Sequence, residues 1–258
     1  MSIKNTLRFS IFSLFMLFIA TAVAQAALPP VINWNGKSEQ LIADANDPWI
    51  TPSERSDFET TPDYKETMDW FKRLTATSPL LHMVSAGKSV EGRDIYMIIA
   101  STEKDSSAAS LKKSDKPLFL AQAGIHSGEI DGKDAGMMLL RDIAFGSKKG
   151  LLDKVNFLFI PILSVDAHEN SSPFNRPNQR GPENMGWRTN AQNLNLNRDY
   201  AKLDTKEIRS VVGVINEYDP DLYMDIHVTD GADYQYDITF GGIDLQGNSP
   251  GISTWLET

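Results

Sequence analysis

Four short runs rich in β-forming residues, DIYMIIA (94–100), PLFLAQA (117–123), VNFLFIPIL (155–163) and LYMDIH (222–227), alternate with segments of helical spacing near 130–145 and 204–217. Alternation of this kind calls for an α/β sheet with helices on its faces. In such sheets ligands gather at the carboxyl ends of strands. His126 and Asp166 follow two of these runs, and His227 closes another. Ahead of them, TPDYKETMDWFKRL (61–74) reads as a helix, with Thr61 as N-cap, Pro62 in the first helical position, and Tyr64, Met68, Trp70, Phe71 and Leu74 near helical spacing. Residues 164–200 form a long irregular stretch rich in Asn, Arg and Pro. A loop of that length inside a compact domain usually carries function.

The chain has 258 residues, 41% of them hydrophobic and 23% charged, enough for one domain with a substantial core. Its formal net charge of -9, with no cluster of Lys and Arg, argues against nucleic acid as a partner, because a phosphate backbone would be repelled. Lys4 and Arg8, the apolar stretch Ile11 to Ala20, and small residues at Ala22-Val23-Ala24 or Ala24-Gln25-Ala26 have the layout of a signal peptide over residues 1–26. The apolar stretch ends in small residues and Pro29-Pro30, short of the roughly 20 residues that span a bilayer, so no stable membrane anchor is expected. Export to the periplasm or the medium follows. The chain has no Cys, so the exported protein must rely on its core, a metal, or both. Residues 27–58 read as an extended segment draped on the domain that occupies 59–258.

Within AGIHSGEIDGK (123–133), His126 and Glu129 stand three apart with only Ser127 and Gly128 between them. Catalytic zinc sites commonly use two His and one carboxylate and keep a further position open. Of the four His in the chain, His126 and His227 sit at strand ends, and together with Glu129 they supply that set. Taken alone, an H-x-x-E spacing is as compatible with a polar turn after a buried strand. His82, beside Leu80 and Leu81, fits a structural role, and His168, in the irregular stretch, is a weaker ligand candidate than His227. In GWRTNAQNLNLNRDY (186–200), Arg188 and Arg198 offer planar forks for a carboxylate or an oxyanion, with the Asn197 amide beside them. Solvated loop charges are the plainer alternative for these arginines.

Five segments, in this order, resemble the zinc carboxypeptidases: GKSVEGRDIYMI, GIHSGEIDG, PILSVDAHE, NLNLNRDY and DLYMDIHVT, within residues 62–230. The resemblance implies a mixed, mostly parallel twisted α/β sheet with helices on both faces. It also implies one zinc ion held by His126, Glu129 and His227, with Asn197 and Arg198 gripping a peptide's free terminal carboxylate. Arg188 would polarise the scissile carbonyl and stabilise its oxyanion.

The chain departs from the family pattern in three places. Ser164-Val165-Asp166-Ala167 stands where the family has Asn-Pro-Asp-Gly, and Asn195 stands where it usually has an Asp that orients a zinc-binding His. The family's general-base Glu lies on a later strand beyond the third ligand, whereas the sole Glu after His227 is Glu257. The expectation is a C-terminally truncated fragment, inactive alone, of an exported metallocarboxypeptidase. Two other functions use the same residues: a zinc amidase acting on murein peptides or acylated amino acids, and a non-catalytic module that binds zinc and carboxylates.

Overall fold

Among the described residues, five strands form one mixed sheet in the order β1-β2-β4-β3-β5. They are β1 (Leu81–Lys88), β2 (Asp94–Ala100), β3 (Leu118–Gln122), β4 (Asn156–Ile160) and β5 (Leu222–Asp225). The structure is a computed structural model that describes residues 36–179, 181–229 and 249–256. The expected signal peptide, Trp34, Asp230, Asp233, Asp237, Asp244 and Glu257 lie outside the described residues. β2 to β5 are the four runs read from the sequence. Pairing is antiparallel for β1–β2 and β2–β4, and parallel for β4–β3 and β3–β5.

β1 has no clear signature in the sequence, since of its eight residues only Leu81 is fully buried. Pairing makes it a strand: it runs beside β2 from Leu81↔Ala100 to Lys88↔Asp94, with a bulge between Ser85 and Gly87. The turn joining β1 to β2 is pinned by Asp166, which accepts from Ser89 Oγ (2.8 Å), the Glu91 N–H (3.0 Å) and Arg93 Nη1 (2.7 Å). Asp166 therefore serves the fold, and the Gly-x-Ser-x-x-Gly-Arg segment is the turn that it holds.

Three long helices cover the sheet: α1 (Tyr64–Thr77), α2 (Asp131–Ala144) and α3 (Lys206–Tyr218). α1 starts two residues later than the sequence reading placed it. Asp63, not Thr61, is its N-cap, because Asp63 and Glu66 satisfy each other's backbone N–H groups in a reciprocal box. The Thr61 hydroxyl instead bonds the Asp134 carboxylate on α2 at 2.9 Å. α3 is capped by Thr205, which accepts from the Ile208 N–H.

Side chains alternate across a strand, so the contacts of the helices show which face each covers. Lys72 of α1 lies over the Tyr96 ring, 5.8 Å from its centroid, and the Phe71 and Phe159 centroids are 6.5 Å apart. α2 meets the same Phe159 through Gly136. On the opposite face, Val84, Ala86 and Met97 line a cleft with Arg209, Ser210 and Val214 of α3. Helices thus lie on both faces, as the resemblance implies.

A Cβ on Gly136 would fall 2.2 Å from the Phe159 ring, itself packed between Phe71 and Phe157. Gly136→Ala is expected to lower stability by about 1–3 kcal/mol through overpacking, even though Ala favours a helix over Gly by about 1 kcal/mol. Urea unfolding checks this; an unshifted midpoint would mean that the ring moves aside at no cost.

The N-terminal segment contributes a short 3-10 turn, Lys37–Leu41, and one helical turn, Pro52–Arg55. It is tied to α2 by a buried ion pair, in which Arg141 Nη1 lies 2.7 and 2.6 Å from the two Glu54 oxygens. Trp49 adds to the joint, stacking on Phe145 at 4.8 Å and lying under the Arg73 guanidinium. The long stretch 164–200 holds the short helix Val165–Glu169, a bridge between Ser172 and Met185, and the turn Leu196–Arg198. The chain divides into two units, one ending at Val228 and one beginning at Thr229. The second contains a helix, Pro250–Leu256. Among the described residues no helix is long and apolar enough to cross a membrane.

Candidate metal centre

β3 and β5 are parallel neighbours, with Gln122 opposite Asp225, so the chain leaves both strands at the same edge of the sheet. After β3, Gly124 takes a left-handed conformation (φ 66°) that turns the chain toward His126. The Glu129 N–H then donates to the His126 carbonyl at 3.0 Å, closing a tight turn between the two residues. His227 follows the end of β5. The side-chain ligand atoms of His126, Glu129 and His227 all lie within 4.8 Å of one another. The two imidazole centroids are 5.1 Å apart.

Hydrogen-bond roles show what this cluster requires. Asn195 Oδ1 accepts from the Asn197 backbone N–H at 3.0 Å, which fixes the orientation of the Asn195 amide. The same oxygen faces His126 Nε2 at 3.0 Å, so that nitrogen must carry the proton and Nδ1 presents a lone pair. That lone pair points at Glu129 Oε1, 3.0 Å away. At His227, Nε2 faces Asp225 Oδ2 at 3.1 Å, and Nδ1 faces Glu129 Oε2 at 2.8 Å. Acceptors thus face acceptors across Glu129, an arrangement that calls for a cation or a proton between them. The electrostatics of the cluster makes the same demand. Asp225 and Glu129 push the His227 imidazole up to about 10, and although burial opposes it, the two imidazoles hold Glu129 well below the usual carboxylate range. Two imidazoles and a carboxylate are a donor set suited to zinc, and one ion at this point would satisfy all three side chains.

The centre is closed on one side and open on the other. His126 and Glu129 are buried, whereas the His227 side chain is 32% exposed, so a ligand would reach the centre from the His227 side. Arg188 reaches in with Nη1 3.5 Å from Glu129 Oε1. Asn197 places its side-chain Nδ2 3.3 Å from His227 Nε2. Arg198, next in the same turn, is exposed and donates from Nη1 to the Asn197 carbonyl at 2.7 Å.

Arg176 is a site residue that the sequence reading did not single out. Its side chain is 4% exposed, and Nη2 donates to Glu129 Oε1 at 3.0 Å. Gly128 leaves room for it, since a Cβ there would sit 2.7 Å from Arg176 Cγ. No local pattern marks Arg176, because only the path of the long irregular stretch brings it to Glu129. His82 and His168 lie outside the cluster. His82 is half-buried in β1 opposite Ile99, and buried His168 pairs with Glu169 at 3.4 Å.

Comparison with known proteins agrees with this geometry. Residues 67–240 match the family model for zinc carboxypeptidase. The chain is 28% identical over 179 residues to Carboxypeptidase 2 of Trichophyton rubrum, an alignment covering 67% of this chain and 30% of that relative. A metallo-carboxypeptidase from Burkholderia cenocepacia shares the fold with a TM-score of 0.52 at 22% identity, covering 66% of this chain and 42% of that one. Carboxypeptidase A from Helicoverpa armigera does so with a TM-score of 0.53 at 20% identity, covering 67% of this chain and 47% of that one. The chain therefore spans less than half the length of each of these relatives.

Proposed function

The chain belongs to the zinc carboxypeptidase family, and from that premise we propose that it acts as an exported metallocarboxypeptidase, releasing C-terminal residues from peptides that carry a free terminal carboxylate. The observation that carries this reading is the convergence of His126, Glu129 and His227 with Arg188 at one open strand edge. When bound there, zinc supplies a Lewis acid that polarises a carbonyl and activates water.

The chain's own groups divide the remaining work. Asn195 holds His126 in the tautomer whose Nδ1 can donate to a metal. Arg188 brings a fixed positive charge to the centre, where it would stabilise negative charge growing on the oxygen of the scissile carbonyl. At His227 the Nε2–H donates to the nearer Asp225 Oδ2, which leaves the Asn197 amide hydrogens for another acceptor. With the Arg198 fork in the same turn, that amide would grip the substrate's terminal carboxylate. Hydrolysis also requires a general base within hydrogen-bond reach of the attacking water. The signal-peptide layout of residues 1–26 supports export, and with it an activity in the periplasm or the medium.

The test is hydrolysis of N-blocked dipeptides, with free or amidated C-termini, by the zinc-loaded protein from the complete gene. Free peptides are expected to be cleaved and amides to be poor substrates. Arg198→Ala is expected to lower turnover of the free peptides by about tenfold or more, the worth of one charged hydrogen bond in a partly desolvated site. Equal turnover of the two substrate forms would rule out reading of the terminus and favour an amidase.

A further inference from the structure

The outer nitrogens of the two imidazoles have chemically different partners. His126 Nε2 meets a neutral amide, Asn195 Oδ1, at 3.0 Å, whereas His227 Nε2 meets a carboxylate, Asp225 Oδ2, at 3.1 Å. The carboxylate is held from behind. Gln122, fully buried on β3 and in register with Asp225, donates from Nε2 to Asp225 Oδ1 at 3.0 Å. The same amide nitrogen donates to the Tyr200 hydroxyl at 3.2 Å, and that hydroxyl pairs with the hydroxyl of Tyr223. One Asp225 oxygen is thereby fixed in the sheet, and the other is aimed at His227.

We propose that Asp225 is the positioning residue of this centre, orienting His227 and strengthening its Nδ1 as a zinc ligand through a carboxylate–imidazole pair built on β5. The proposal rests on the zinc reading above. Its physical basis is that an anionic acceptor on Nε2 fixes the tautomer and the ring and raises the electron density at Nδ1, which a neutral amide does less well. His227 needs that support more than His126 does. Its side chain is 32% exposed and lies just past the end of β5, whereas the His126 side chain is 3% exposed and held within a closed turn. The Gln122 amide and the two tyrosines serve to keep the Asp225 carboxylate from turning to solvent.

Asp225→Asn tests this, because an amide keeps the size of the side chain and an oxygen for Gln122 while removing the charge. Zinc affinity is to be measured by competition with a chromophoric chelator, alongside thermal unfolding of the metal-free proteins and the absorption spectrum of the cobalt-loaded forms. The expected result is a loss of zinc affinity of about 10- to 100-fold, an altered cobalt spectrum, and a metal-free unfolding midpoint like that of the parent. Adding Asn195→Asp, which places a carboxylate behind the other imidazole, is expected to recover part of the affinity. The proposal is overturned by an affinity within about twofold of the parent, by a loss matched by metal-free destabilisation, or by no recovery in the double variant. If the parent itself binds no zinc, the zinc reading fails and takes this proposal with it; a parent that binds zinc beside an unaffected Asp225→Asn sinks this proposal alone.

Discussion

His126→Ala and His227→Ala are each expected to purify with little zinc, while the parent holds about one ion per chain. Each substitution removes one of three protein ligands, and the loss should exceed the roughly 10- to 100-fold that removing an outer partner costs. The two variants should differ in a second respect. His126 is buried, and its ring spans the gap between Glu129 and Asn195, so His126→Ala also leaves the Glu129 carboxylate beside Arg176 with one imidazole fewer. His227 is partly exposed just past the end of β5, so its loss should reach the metal and leave the fold nearly unchanged. His168→Ala serves as the control that keeps its zinc, since His168 lies outside the cluster. Metal analysis of the purified variants decides the matter: undiminished zinc in both ligand variants would remove the assignment.

Arg141→Ala is expected to destabilise the protein by about 3–5 kcal/mol, the cost of leaving one partner of a buried ion pair uncompensated. Glu54 has a fully buried side chain, and it accepts from Arg141 Nη1, from the Thr51 N–H at 2.8 Å and from the Ala43 N–H at 2.9 Å. With Arg141 gone, the carboxylate stays buried against two backbone donors and no cation. Arg141 also bonds the Leu41 carbonyl at 2.9 Å, so the substitution loosens the whole N-terminal segment from α2. Burial alone would raise the Glu54 pKa; the Arg141 fork and the backbone donors outweigh it and hold the group below its ordinary 4.5. A carboxylate depressed in the folded state adds stability above its unfolded value and loses it as the pH falls through the folded one. The parent should therefore weaken in acid, and the gap between parent and Arg141→Ala should narrow as the pH drops below that ordinary value. Urea unfolding at neutral and acid pH measures both effects; a gap independent of pH would mean that Glu54 is not the group left exposed to the loss.

The sequence was most legible where structure is local. Short apolar runs rich in β-forming residues marked β2 to β5, and helical spacing marked α1, α2 and α3, because a strand buried in a sheet and a helix packed by one face each leave a local imprint on the sequence. The cap of α1 was misplaced by two residues, since Thr61 and Asp63 are both good caps and only the contact with Asp134 on α2 draws Thr61 away. The candidate metal set was legible for a related reason: His126 and Glu129 are joined by a single turn, and the ends of strands in an α/β sheet are where ligands meet.

What the sequence by itself determined, then, was the class of fold, the three side chains that converge in the candidate metal centre and the arginine-bearing turn downstream. Only the tertiary structure decided the rest. It made a strand of Leu81–Lys88, whose polar face is stabilised by pairing with β2 rather than by burial. It turned Asp166 from a candidate at a strand end into the anchor of the β1–β2 turn. It carried Arg176 from a stretch without regular structure to within 3.0 Å of Glu129, through space that Gly128 leaves open. It also set Asp225 behind His227 by holding the carboxylate against Gln122 of the neighbouring strand. The strand β1 depends on pairing with the next strand, and Asp166 and Arg176 depend on partners many residues away in the chain. Asp225 and His227, though two residues apart, are oriented by such a partner as well. Periodicity and turn chemistry report only on near neighbours, and a contact across the fold exists only once the sheet has closed the distance.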